Sequence, residues 1–341
     1  MNPEDVREAS RAIHGGSDDP DLLDFSANVN TRTPDGTRST YEAAFQNARR
    51  YPDDGYPAFR AAAAESVGCD PEQVVPTPGG LAAIRLAIAT RLRPGDSALL
   101  PAPSFAEYAR EVELQGAEAV FAPPDAIVDA DPAPHELAVL CQPNNPTGDA
   151  VPPERLREFA RRCRAAATEL LVDEAFLDYT DLPSMAGEPG VIVARSLTKI
   201  YGLPGIRVGF AVATGARLGD LRTARRPWAL SAPAAAVGSH CLRDGAFVEA
   251  TRNRVRDERA RLRARLETAF DVGPSVAPFL LFDAGERSVD AMVEQARERG
   301  VALRDARSFR GLDNHVRVAV RESAANDRLL WALGLRSSPE E

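Results

Sequence analysis

The sequence predicts an α/β fold with a mostly parallel sheet, and three observations carry that prediction. Short apolar runs alternate with helical stretches through the middle of the chain, as in sheets whose parallel strands are joined by crossover helices. Loops rich in proline, asparagine, glycine and charged residues follow directly on several of those runs, at the strand ends where such sheets bind ligands. A length of 341 residues with 44% hydrophobic content suffices for one large and one smaller core. The expected division is an N-terminal arm over 1–40, a large domain over 41–215, and a linker helix with a small α+β domain over 216–341, to which the arm contributes.

Residues 1–40 hold a short helical start, then His14-Gly15-Gly16 and Asp24-Phe25-Ser26-Ala27-Asn28-Val29-Asn30. These stretches lack the periodicity of a long element and read as loops or short strands. Arg50-Tyr51-Pro52-Asp53 reads as a turn. Thr77-Pro78-Gly79-Gly80 then leads into Leu81–Leu92, where Leu81, Ile84, Ile88 and Leu92 recur at three- and four-residue steps and predict a helix. A glycine pair at a helix start offers free N–H groups and the positive dipole end to an anion. Strands are expected at Ala98–Leu100, Ala119–Phe121, Leu137–Cys141, Leu170–Val172, Val191–Ala194 and Val208–Val212, with a helix over Arg155–Ala166. Beyond them, 217–226 reads as a connecting helix. The stretch 247–270 is helical, and its seven arginines read mostly as a solvated face. Leu280–Asp283 and Val316–Val320 read as strands mixed with helices, as in a smaller α+β domain.

Composition excludes several classes of function. A formal net charge of −9 argues against nucleic acid or an anionic membrane as partner. The acidic, lysine-poor balance suits a high-salt cytoplasm, and a GC-rich genome produces part of the same bias. Cys69, Cys141, Cys163 and Cys241 are scattered, with no C-x-x-C pair, and read as buried thiols in a reducing compartment. The four histidines are equally dispersed, so no metal site is expected. The acidic start has no apolar core and no run reaches membrane-spanning length, so a cytoplasmic location is expected.

Of 41 lysine and arginine residues, Lys199 is the only lysine. Arginine matches its charge and reach but cannot lose a proton to become a nucleophilic amine. Its surroundings, Arg195-Ser196-Leu197-Thr198-Lys199-Ile200-Tyr201-Gly202, then Arg207-Val208-Gly209, supply hydroxyls, a guanidinium and close backbone approach. Ser196 lies three residues before Lys199 and Arg207 eight after it. This pattern resembles the lysine motif of fold-type I pyridoxal-phosphate enzymes, the aspartate aminotransferase superfamily.

The resemblance implies that Lys199 holds pyridoxal 5'-phosphate covalently, with Ser196 and Arg207 on its phosphate. It places Gly80 and Leu81 at a phosphate-binding turn, although relatives often carry a hydroxyl and an acid where this chain has Leu81 and Ala82. Phe105 stands where an aromatic stacks on the pyridine ring, and as pure sequence it is equally a core phenylalanine. Gln142-Pro143-Asn144-Asn145-Pro146-Thr147-Gly148 resembles the loop whose asparagine, here Asn145, meets the phenolic oxygen and the substrate. Asp173, at a buried strand end, is expected to pair with the ring nitrogen. Phe176 replaces a common tyrosine. Tyr51 is either a packed turn or a residue that crosses a homodimer interface to the second protomer's cofactor phosphate.

The outer segments are similar to those of threonine-phosphate decarboxylases. That likeness makes His14, Gly15, Asn28, Arg304 and Arg317 substrate-binding residues, although Thr31 stands where relatives have proline and Arg317 on its strand could equally face water. It implies a small phosphorylated amino acid as substrate and decarboxylation of threonine phosphate, a step in cobalamin assembly. A histidinol-phosphate-type aminotransferase shares nearly every cofactor motif and is the alternative. A non-catalytic cofactor-binding sensor is a third.

Overall fold

The computed structural model describes residues 1–2, 6–7 and 11–337; most of the helical start expected at the N-terminus lies outside them. In chain order the elements are β1 (Leu23–Asp24), α1 (Thr37–Phe45), α2 (Pro57–Val67), β2 (Val74–Thr77), α3 (Gly80–Arg91), β3 (Ser97–Pro101), α4 (Glu107–Glu113), β4 (Glu118–Ala122), β5 (Leu137–Cys141), α5 (Pro153–Ala165), β6 (Glu169–Asp173), β7 (Val191–Ser196) and β8 (Gly209–Val212). There follow α6 (Gly215–Ala224), α7 (Ala232–Leu242), α8 (Gly245–Leu266), β9 (Asp271–Val272), β10 (Phe279–Asp283), α9 (Val289–Glu298), β11 (Val301–Ala302), β12 (Arg304–Asp305), β13 (His315–Ala319) and α10 (Ser323–Ala332).

Seven strands form the main sheet in the order β2-β8-β7-β6-β5-β3-β4. The pairs β3/β4, β3/β5, β5/β6 and β6/β7 are parallel, and β8 runs antiparallel to both of its neighbours, β7 and β2. Six strands therefore point one way and β8 alone points back. Successive residues of each strand face opposite sides. Leu140, Leu170, Val172 and Val193 enter one core, and Leu137, Val139, Leu171 and Ile192 the other. Burial on both faces is why these strands read as unbroken apolar runs rather than alternating ones. The strand β2 escapes that reading because Pro76 interrupts it. It sits at the sheet edge, where a missing N–H is tolerated.

A second sheet, β12-β13-β10-β9, is antiparallel, and β1 pairs in parallel with β11. The arm thus reaches the C-terminal elements through the Leu23–Val301 register. Two expectations need correction. The arginines of α8 are not mostly solvated: Arg252, Arg254, Arg259, Arg261 and Arg263 are half-buried. They donate to carbonyls or acids of neighbouring segments, for example Arg254 to Asn30 Oδ1 at 2.7 Å. The helix packs against the body, so its basic face works as an anchor. All four cysteines are free thiols, but Cys69 is only partly buried.

Candidate active site

The parallel strands β3, β5, β6 and β7 end at one edge, and β8 begins there, because Gly209 pairs with both Ser196 and Thr77. A cavity of about 360 Å³ opens beyond that edge. It gathers Lys199, Asp173, Asn145, Phe105, Gly80, Leu81, Ser196 and Arg207 with His14, Gly15, Asn28, Arg304 and Arg317. Of the residues singled out in the sequence, Tyr51 alone lies elsewhere. It is 78% exposed, with its ring stacked on Trp228 at 4.3 Å.

At one end, Gly79 takes φ +95° and starts α3 at Gly80. A Cβ on Gly79 would come within 2.7 Å of Arg207 Nη2, and one on Gly80 within 2.9 Å of Ser196 Cβ. Gly79 is needed for its positive φ, and Gly80 because the serine packs against the turn itself. Gly209, read in the sequence as allowing close backbone approach, completes the arrangement: its Cβ would lie 2.6 Å from Gly79 C and 2.7 Å from Gly80 N. The result is a small cradle lined by a helix N-terminus, the Ser196 hydroxyl (2.9 Å from that of Thr198) and an arginine fork. Phosphate fits that donor set.

In the middle, Asp173 is buried at the end of β6. Burial raises its pKa, and hydrogen bonds oppose that rise: Tyr108 Oη donates to Oδ2 at 2.5 Å, and Ala175 N–H donates to Oδ1 at 3.0 Å. Tyr108 was missed in the sequence, although it stands one helical turn after Phe105 and packs edge-on against it at 5.5 Å. Burial and the Asp173 charge drive the tyrosine's own pKa well above its usual value, which keeps it a donor. Lys199 lies 5.9 Å from the Phe176 ring centroid. Burial, followed by the positive charge of Arg317, lowers its pKa to about 8, with Asp173 opposing. A lowered pKa frees the amine for attack near neutrality.

At the other end, Arg304 on β12 and Arg317 on β13 stand directly opposite each other in the antiparallel register. Both are buried, and neither has a carboxylate within ion-pair distance among the described residues. Like charges opposed on adjacent strands repel. Burial lowers the pKa of each, and Arg304 lowers that of Arg317 further. Arg317 is thus inside the site rather than facing water. It donates to Asn145 Oδ1 and, at 2.8 Å, to the Ser26 carbonyl. Arg304 donates to the carbonyls of His14 (3.0 Å) and Ile13 (2.7 Å) and to Ser308 Oγ (2.8 Å). Among the described residues, the Nε atoms of both arginines and the Oδ1 of Asn28 are buried without a partner. Gly15 is required where the arm crosses Ser26, since a Cβ there would overlap the Ser26 carbonyl oxygen.

A lysine of lowered pKa, a buried aspartate, an aromatic wall and an anion cradle meet around one cavity at the edge of an α/β sheet. The chain belongs to the aminotransferase class I and II family, whose model matches residues 20–333. Proteins of this family use pyridoxal phosphate. Over 96% of its length the chain is 32% identical to a threonine-phosphate decarboxylase of Salmonella typhimurium, of which it covers 94%. It is 33% identical to a histidinol-phosphate aminotransferase of Symbiobacterium thermophilum, with 92% of this chain and 90% of the relative covered. The fold matches the crystal structure of the histidinol-phosphate aminotransferase from Clostridium acetobutylicum with a TM-score of 0.86 and 23% identity, over 92% of this chain and 98% of that one.

The site's own geometry fits the cofactor. The cradle at Gly79, Gly80, Ser196 and Arg207 suits its phosphate. Asp173 suits its ring nitrogen, and Lys199 is the only side-chain amine available to its aldehyde.

Proposed function

We propose that the chain decarboxylates L-threonine O-3-phosphate to (R)-1-aminopropan-2-yl phosphate, a step of cobalamin assembly, as a cytoplasmic homodimer. The observation that carries this reading is the buried pair Arg304 and Arg317, opposed across two strands with no carboxylate between them. Two forks that repel when alone attract a dianion when it arrives. His14, Gly15 and Asn28 line the same end of the cavity and support the reading.

Pyridoxal phosphate, bound through Lys199, supplies an electron sink for the pair left on Cα when a bond there breaks. Asp173 holds the proton on the ring nitrogen, which keeps that sink effective, and Tyr108 holds Asp173. Arg304 and Arg317, holding the substrate's phosphate, would leave its carboxylate without an arginine partner and free to depart as carbon dioxide. The Lys199 amine would deliver the proton that replaces the carboxylate at Cα.

An arm over 1–40, a large domain over 41–215 and a small one over 216–341 fit these roles, with the cofactor on the large domain and the arginines on the small one. Tyr51, exposed and away from its own chain's cavity, is read as reaching the second protomer's cofactor phosphate. The relatives named histidinol-phosphate aminotransferase favour one alternative, transamination of a phosphorylated amine. Incubation with threonine phosphate decides between them. Stoichiometric release of carbon dioxide is the expected result. Exchange of amino groups between histidinol phosphate and 2-oxoglutarate, without that release, overturns it.

A further inference from the structure

Glu107 is an acid in an unexpected place. It opens α4 with its side chain only 7% exposed, beside a cavity whose far wall is made of arginines. Its Oε1 lies 3.1 Å from His14 Nε2, and its Oε2 accepts from Arg110 Nη1 at 3.4 Å. The His14 ring leans on Phe105, with centroids 5.8 Å apart at 45°. Its backbone carbonyl accepts from Arg304, and the next residue is seated on Ser26. The histidine is therefore held at the backbone from one wall of the cavity and at the ring from the other.

We propose that Glu107 is a positioning residue for the substrate's phosphate: it takes Nε2 of His14, leaving Nδ1 as the ring nitrogen that meets the ligand. An imidazole donates from both nitrogens only when it carries a positive charge. Between a carboxylate and a phosphate, each ring nitrogen faces an acceptor. The charged groups around it are Arg110 and Glu111 on the same helix, Arg85 from α3 (3.0 Å from Glu111), and Arg304 and Arg317 from β12 and β13. His14 thereby becomes a third donor at the arginine end, with its ring between the glutamate and the substrate. The inference rests on reading that end as a phosphate site.

The test uses cofactor-loaded protein, in which the cradle at Gly80 is filled. Glu107→Gln keeps size and a hydrogen bond but removes the charge. It raises KM for threonine phosphate about tenfold and weakens competitive inhibition by inorganic phosphate about tenfold. It leaves kcat within about twofold, the mark of lost binding rather than lost chemistry. The visible spectrum of the bound cofactor stays unchanged. In a His14→Ala background the same substitution adds nothing, because the two changes remove one interaction. Unchanged KM and phosphate inhibition in Glu107→Gln overturn the proposal. So does an equal loss with and without His14, which would mean that Glu107 acts by another route. Should the wild type turn over no phosphorylated amino acid, the functional reading falls. Calorimetric binding of inorganic phosphate to the same variants then decides the role of Glu107 by itself.

Discussion

The end of the cavity at Lys199 is assembled from two short stretches, 77–81 and 196–209, that meet where β2, β7 and β8 converge. The end at Arg317 draws on the arm at 13–28, the loop at Asn145, β12 and β13. The first is packed so tightly that three glycines leave no room for a Cβ. The second holds two opposed arginines and buried polar atoms without partners. Closure at one end and unmet hydrogen-bonding capacity at the other fit the proposed division of work, with a cofactor end finished by the protein and a substrate end completed by its ligand. Substrate choice can change on the second sheet and the arm while the chemistry on the main sheet stays as it is.

The sharpest way to break this comparison is at Lys199. Lys199→Arg keeps the charge but removes both the covalent link and the proton carrier, and lowers turnover by at least about a thousandfold. Borohydride reduction of the loaded wild type fixes the pyridoxyl group on this residue alone, as peptide mass mapping reads. Label on the N-terminal amine instead would remove the lysine from the chemistry.

A second test sharpens the electrostatics of the same end. Only the neutral amine attacks, and it forms as pH rises through the Lys199 pKa of about 8. Cofactor uptake by cofactor-free protein, followed by absorbance, therefore quickens about tenfold per pH unit below that point and levels off above it. A rate that does not vary with pH would mean that the lysine's burial does not control its reactivity.

At the substrate end, Arg304→Ala costs a charge-assisted contact of about 1.5–3 kcal/mol, or roughly ten- to hundredfold in kcat/KM for threonine phosphate. The cofactor spectrum remains intact, because Arg304 contacts the arm, Ser308 and the Phe309 ring but nothing in the cradle. A spectral change as large as that from replacing Ser196 or Arg207 in the cradle would erase the distinction between the two ends.

How much of this was legible beforehand follows the same division. The six apolar strands, the helix at Gly80 and the cofactor residues lie within contiguous motifs, so fixed offsets such as Ser196-x-x-Lys199 could be read directly. The cross-strand facing of Arg304 and Arg317 depends on register between segments 13 residues apart, and no local pattern encodes it. The grip of Arg304 on the Ile13 and His14 carbonyls is equally hidden, since backbone acceptors leave no trace in residue identity. Glu107 and Tyr108 are adjacent in sequence yet serve His14 and Asp173 respectively. A short polar helix gave no sign of either role. The strand at Val74–Thr77 was lost to Pro76, which an edge position excuses.

The reversed strand β8 has a consequence for anyone moving this site into another scaffold. In an all-parallel sheet every strand reaches the ligand edge by its C-terminal end, and the chain must then leave through a crossover. Here β8 starts at that edge, so the chain leaves β7 at Ser196 and re-enters the sheet at Gly209 after a loop carrying both Lys199 and Arg207. A graft of that loop alone would lack the partner strand that ends at Thr77 and the side-chain-free position at 209. The smallest portable unit is three strands wide.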